Sequence, residues 1–223
     1  MQVWVVVDAE LAQDQAEVQA MQRAIEFDTP DAAIKIIPVH QALIPTAVET
    51  LICPLTLELL DDFPRFWGTQ VFQSCRSIEP LRSDINQLNH SIGAGSMWLP
   101  LVQTARGLLY GEVIERLSEA TPDRPYRYVH LVDAWRQRVY QLGRDTMRVL
   151  AAPPATYLLQ FGIAEDEVLF DRVLPFPGMP AIASLGTQTP DLFACHWRCL
   201  TRQPILDLCL KPPIEYRVLD IAH

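Results

Sequence analysis

The sequence predicts a mixed α/β and α+β chain: a small N-terminal parallel α/β unit over residues 1–90, then an antiparallel sheet with two long helices over residues 91–223. A β-branched run, a stretch of helical spacing and a second β-branched run signal the first unit. Two hairpin signals, each followed by an amphipathic stretch, signal the second. With 223 residues and 49% apolar side chains the chain can bury a sizeable core, and global disorder is excluded.

Residues 3–7, VWVVV, suit a strand buried on both faces. Leu11, Val18, Met21 and Ile25 recur at helical spacing, which predicts a helix over 10–27. Residues 32–39 and 50–54 supply two more strands, and strand–helix–strand at these lengths favours parallel pairing. Helix, turn and helix are expected over 56–88, with Phe63, Phe66, Trp67, Val71 and Phe72 as packing residues. The polar linker 89–96, NHSIGAGS, marks the boundary between the two units. Residues 98–104 and 108–114 form a hairpin around Ala105-Arg106-Gly107. Beyond a proline-bounded polar stretch at 121–125, the stripe Leu131, Trp135, Val139, Leu142 and Val149 predicts a long helix that Pro153-Pro154 stops. Residues 157–163 and 168–173 form a second hairpin. Asp191, after Pro190, is a good N-cap for a last helix ending at Leu200.

Charge narrows the function classes. The net charge is −9 and the basic residues are dispersed, which argues against nucleic acid or an anionic membrane surface as partner. No apolar run approaches the roughly 18 residues of a membrane span, and residues 3–7 lack the flanks of a signal peptide. Five unpatterned cysteines read as reduced thiols, so a cytoplasmic, soluble, acidic protein is expected.

Three local patterns invite a chemical reading. Asp8-Ala9-Glu10 after the first strand reads as a carboxylate pair for a divalent cation, or as the acidic start of a helix. This turn has no glycine, which argues against a dinucleotide site. Gly93-Ala94-Gly95 resembles a phosphate cradle, but no lysine follows and a strand comes next. Only Lys35 and Lys211 are lysines among 18 basic residues. Cys195, His196 and Cys199 on the last helix could offer soft ligands to zinc, with the alternative that these are ordinary buried helix positions.

Residues 98–207 resemble the C-terminal part of ATP-grasp enzymes, particularly carboxyaminoimidazole ribonucleotide synthase. The pieces that carry the resemblance are Leu159-Gln160-Phe161-Gly162, the run from Phe170 through Asp171, Arg172 and Val173 to Phe176-Pro177, and the helix Asp191-Leu192-Phe193-Ala194-Cys195-His196-Trp197-Arg198. The resemblance implies an ATP-grasp-like fold, with a preceding small α/β domain in residues 1–90. It also implies a metal–nucleotide site at Gln160, Asp171 and Phe176. In the family the first two positions are carboxylates that hold magnesium, and the third is an arginine that steadies a phosphate. Here Gln160 brings no charge, Asp171 keeps one, and Phe176 brings no donor. The expectation is a degenerate, ligase-like pseudoenzyme with no cofactor and a binding or assembly role. Phe161, Phe170, Pro175, Phe176, Pro177, Met179, Pro180 and Ile182 are expected to form an apolar cluster that either fills the emptied cleft as core or, over residues 170–182, takes a protein partner or an apolar ligand. The alternative is an active ATP-dependent carboxylate–amine ligase, with Asp171, Glu165 or Glu167 holding magnesium and Arg172 replacing the missing arginine. A second alternative is a Cys/His metal protein.

Overall fold

The computed structural model describes residues 1–8, 15–41, 50–121, 124–212, 214 and 216–219. Strands β1 (Gln2–Val7), β2 (Ala33–Pro38) and β3 (Thr50–Pro54) form a parallel sheet with β1 in the middle. The unbroken apolar run of β1 follows from this central place. Val3, Val5 and Val7 share a core with Val18, Met21 and Ile25 of helix α1 (Ala16–Asp28), while Trp4 and Val6 face Ile52, Phe72 and Phe176. The expected helical start at 10–14 and Glu10 itself lie outside the described residues.

Helix was expected throughout most of 56–88, yet helix α2 (Thr69–Arg76) begins only after Gly68 and is followed by α3 (Ile78–Gln87). Pro64 interrupts the preceding stretch, and Phe63 and Phe66 stack edge-on there, with Phe66 in turn against Phe72 at a centroid distance of 5.2 Å. Tertiary aromatic packing overrides helical spacing in this segment.

A large sheet follows, built from β4 (Ser91–Ile92), β5 (Met97–Thr104), β6 (Gly107–Tyr110), β7 (Val113–Thr121), β8 (Arg124–Leu131), β9 (Ala155–Ala164), β10 (Glu167–Leu174) and β13 (Tyr216–Leu219). Its order is β13-β8-β7-β5-β9-β10-β4, with β6 also pairing β5. All pairs are antiparallel except the outer ones, β13 with β8 and β10 with β4. A small separate pair joins β11 (Gln188–Thr189) to β12 (Cys209–Leu210).

Two expectations are corrected here. The strand expected at 108–114 is two strands, because the chain turns at Gly111, where a Cβ would lie 2.9 Å from Pro100 Cβ. Leu131 ends a strand rather than beginning the long helix, and α4 (Asp133–Val149) starts two residues later.

Helices α2, α3 and α4 cover one face of the large sheet. Val71, Cys75, Leu81 and Ile85, which lie within residues 1–90, share their core with this second sheet. Helix α5 (Leu192–Leu200) and the N-terminal unit cover the other face. Arg198 grips Asp28 through two bonds of 2.7 and 3.0 Å, and Trp197 Nε1 donates to Thr29 Oγ1 at 3.1 Å, fastening α5 to the end of α1. Among the described residues no helix is long and apolar enough to cross a membrane.

Candidate functional site

The hairpin β9–β10 positions the residues singled out above. Gln160 lies opposite Arg172, and the ladder shifts register between Phe170 and Arg172, so Asp171 is the extra residue of a β-bulge. The bulge turns its carboxylate toward the chain arriving from β4.

That arriving segment crosses the hairpin before β5 begins. Gly93 N–H donates to Phe170 O. Gly95 then presses onto the β9 backbone so closely that a Cβ on it would stand 2.2 Å from the Phe161 carbonyl carbon. On the strand side, a Cβ on Gly162 would stand 2.5 Å from Ala94 O. Both positions require glycine for lack of space. The peptide groups of Gly95 are then held by the two residues of interest. Its N–H donates to Asp171 Oδ2 at 2.9 Å, and its carbonyl accepts from Gln160 Nε2 at 2.6 Å.

The other carboxylate oxygen faces a cation from α3. Arg82 Nη2 donates to Asp171 Oδ1 at 2.9 Å and Arg82 Nε to the Asp171 backbone carbonyl at 3.1 Å, while Nη1 reaches Glu79 at 3.0 Å. The pair is secluded: the Asp171 side chain is 9% exposed and that of Arg82 25%. Arg172 is half-exposed and its Nε stands 3.6 Å from Asp171 Oδ1. Each oxygen of Asp171 therefore has a donor from within the chain. Arg82 was not among the sequence candidates, and Gly95 was weighed only as part of the Gly93-Ala94-Gly95 phosphate cradle, whereas here its peptide groups bind Asp171 and Gln160.

The other candidates disperse. Glu167 accepts from Ser91, and Glu165 occupies the exposed hairpin turn at φ 49°. Glu167 is four residue steps along β10 from Asp171, about 13 Å at roughly 3.3 Å per step. Phe176 does not face the carboxylate at all. It stacks on Phe72 at 5.9 Å inside the core beneath β1. The single apolar cluster expected at 170–182 is likewise corrected. Phe161 and Phe170 belong to the α4 side of the large sheet, Phe176 to the cluster under β1, and Ile182 packs against the α5 side. Met179 is exposed, but most of this stretch is interior.

Cys195, His196 and Cys199 are each engaged separately. Cys195 Sγ donates to Pro190 O at 3.6 Å and Cys199 Sγ to Gln103 O at 3.3 Å. His196 Nδ1 accepts the Thr156 backbone N–H at 3.2 Å, which leaves the ring proton on Nε2. Burial pushes the Cys199 thiol up to about 12 and the His196 imidazole down to about 3. Among the described residues no three His, Cys, Asp or Glu side chains gather as a metal site would require. Asp8 is exposed at the end of β1.

Cavities lie elsewhere among the described residues. One of about 40 Å³ lies among Leu57, Phe63, Phe66, Phe72 and Arg76, and a groove of about 310 Å³ runs between α2–α3 and the end of α4. Neither is lined by Asp171.

No family model matches the chain, and no curated protein does. Solved structures do. Glycinamide-RNase-transformylase T from Mycobacterium tuberculosis matches with a TM-score of 0.66 at 12% identity, over 92% of this chain and 80% of that one. Carboxyaminoimidazole ribonucleotide synthase from Aspergillus clavatus, complexed with ATP, matches with a TM-score of 0.66 at 8% identity, over 92% of this chain and 78% of that one. An L-amino acid ligase from Bacillus licheniformis matches with a TM-score of 0.64 at 7% identity, over 89% and 74%. At such identities the likeness is one of fold, and the fold is ATP-grasp-like.

Proposed function

We propose that this chain is a non-catalytic ATP-grasp-like protein with a binding or assembly role, in which an arginine of its own stands where its fold relatives bind a metal nucleotide. The observation that carries this reading is the Arg82–Asp171–Gly95 constellation. The carboxylate that would hold magnesium already accepts from a guanidinium and a backbone N–H. Its neighbour Gln160 is neutral and turned to Gly95 O. This donor set does not fit a magnesium–polyphosphate, which needs anionic oxygens free to coordinate and cations free for the phosphates. Admitting one would require expelling both Arg82 and the Gly93–Gly95 crossing. The crossing is locked by backbone contacts too close for any other residue.

The ligase alternative would need Asp171 released and a phosphate-steadying cation supplied by Arg172, the exposed arginine beside it. The Cys/His metal alternative would need three side chains that now hold backbone groups to turn toward one another. Five free cysteines suit a reducing, cytoplasmic setting.

A thermal-shift titration with magnesium and ATP tests the reading. No rise in melting temperature at millimolar nucleotide is expected. A saturable rise, about 2.7 kcal/mol of stabilisation at a hundredfold excess over Kd, would show that the site still binds.

A further inference from the structure

At the β13 edge of the large sheet, far from Asp171 in the strand order, the ladder gathers a second chemical group. Val113 pairs with Val129 at the end of the β7–β8 ladder, and Glu112 and His130 are the next residue of each chain beyond that pair. Val218 pairs with His130 and Tyr216 with Tyr128, extending both rows onto β13. Positions two apart share a face, so His130, Tyr128 and Tyr216 lie on the same side of the sheet, and Glu112, just before β7, is within electrostatic reach of all three. The His130 and Tyr216 rings meet edge-on at 6.0 Å, and the Tyr128 ring lies 6.3 Å from that of Tyr216. Tyr128 forms the buried floor and shares a 3.0 Å hydrogen bond with Thr187, while His130 and Tyr216 are open to solvent.

Glu112 is the anomaly in this group. Its carboxylate is half-buried, and among the described residues it makes no hydrogen bond or ion pair. The nearby cations do not reach it: Arg136 is engaged with Asp133, and His130 stands by as an aromatic face. Burial raises the Glu112 carboxyl above its usual range, against the pull of His130 and Arg136. A partly desolvated anion beside aromatic faces is the chemistry that recognises an organic cation, through charge on one side and ring quadrupoles on the other.

We propose that Glu112, His130, Tyr128 and Tyr216 form a binding site for an alkylated ammonium group, presented by a small molecule or by a lysine side chain of a peptide. The acceptor carboxylate supplies the charge and the phenol and imidazole rings supply the walls. The site is independent of the reading of Asp171, since no residue is shared.

The test is an NMR titration of the full chain at pH 8 with tetramethylammonium, with a lysine-containing peptide as a parallel arm and neutral tert-butanol as control. Saturable shifts confined to residues 110–113, 128–130 and 216–218 are expected with at least one cation and not with tert-butanol. Tyr216→Phe should keep the affinity, Tyr216→Leu should lose about fivefold and Glu112→Gln about tenfold, in line with a cation held by a ring and a charge. Circular dichroism of each variant confirms that it folds, and the two Tyr216 variants keep the test decisive if Glu112→Gln does not. Shifts with neither cation, equal shifts with tert-butanol, or unchanged affinity in both Tyr216→Leu and Glu112→Gln would overturn the proposal.

Discussion

Replacing Arg82 by methionine removes the guanidinium while keeping most of the stem that packs along α3. The Asp171 carboxylate, 9% exposed, is then left with Gly95 N–H as its close donor and the half-exposed Arg172 at 3.6 Å. Removing one partner of a buried pair costs roughly 3–5 kcal/mol, and Arg82 is a quarter exposed, so water reduces the expected loss to about 2–3 kcal/mol. Asp171→Asn should cost about 1–2 kcal/mol, because the amide can still accept from one donor. The double variant should lose less than the sum, with a coupling of about 1–2 kcal/mol, since the second change removes the charge that the first left stranded. Urea unfolding followed by tryptophan fluorescence reads all four proteins, with unchanged slopes required before midpoints are compared. Strict additivity, or a loss under about 0.5 kcal/mol for Arg82→Met, would refute the claim that these two side chains form a secluded pair.

Other perturbations probe the surroundings. Gly95→Ala sets a methyl 2.2 Å from the Phe161 carbonyl carbon and should destabilise by about 3 kcal/mol or prevent folding; a fully stable variant would contradict the close crossing. Of the five thiols, Cys209 alone is exposed and should be the one that reacts rapidly with a disulfide reagent in the native protein, burial having pushed Cys53, Cys75 and Cys199 up to about 12. Fast modification of a second thiol would show that the core opens. His196 is held neutral in the fold, its value of about 3 lying below the ordinary 6.5, so the unfolded chain takes the proton first. The stability it contributes is complete above pH 6.5 and is lost as pH falls toward 3, at about 1.4 kcal/mol per pH unit. His196→Gln, which keeps an acceptor for Thr156 N–H, should flatten that slope; an unchanged acid profile would refute the assignment.

Much of the fold could be read in advance wherever local signals and tertiary demands agree. Residues 3–7 are apolar at every position because β1 is central, and Asp191 caps α5 by accepting from Phe193 and Ala194, as its place after Pro190 suggested. The reading failed where one signal served two structures. Leu131 continues the spacing of the α4 stripe, although Tyr126, Tyr128 and His130 alternate with Arg127, Val129 and Leu131 as a strand should. Pro125 and the polar residues before it in the sequence hid that alternation. The site itself was half legible. Gln160 and Asp171 stood out through the resemblance that their hairpin carries, but Arg82 is 89 positions from Asp171 and sits on an ordinary helix face. Only the packing of α3 against β10 brings them together. Phe176 was expected at the pocket because the resemblance placed it there, while its side chain points into a different core.

Manganese, a paramagnetic substitute for magnesium, gives the most direct view of the site when added with ATP to isotope-labelled protein. The account predicts that the amide resonances of Gly95, Phe161 and Asp171 keep their intensities, since Arg82 and the crossing peptide hold the carboxylate. Selective broadening of those three signals, relieved by a chelator, would contradict it.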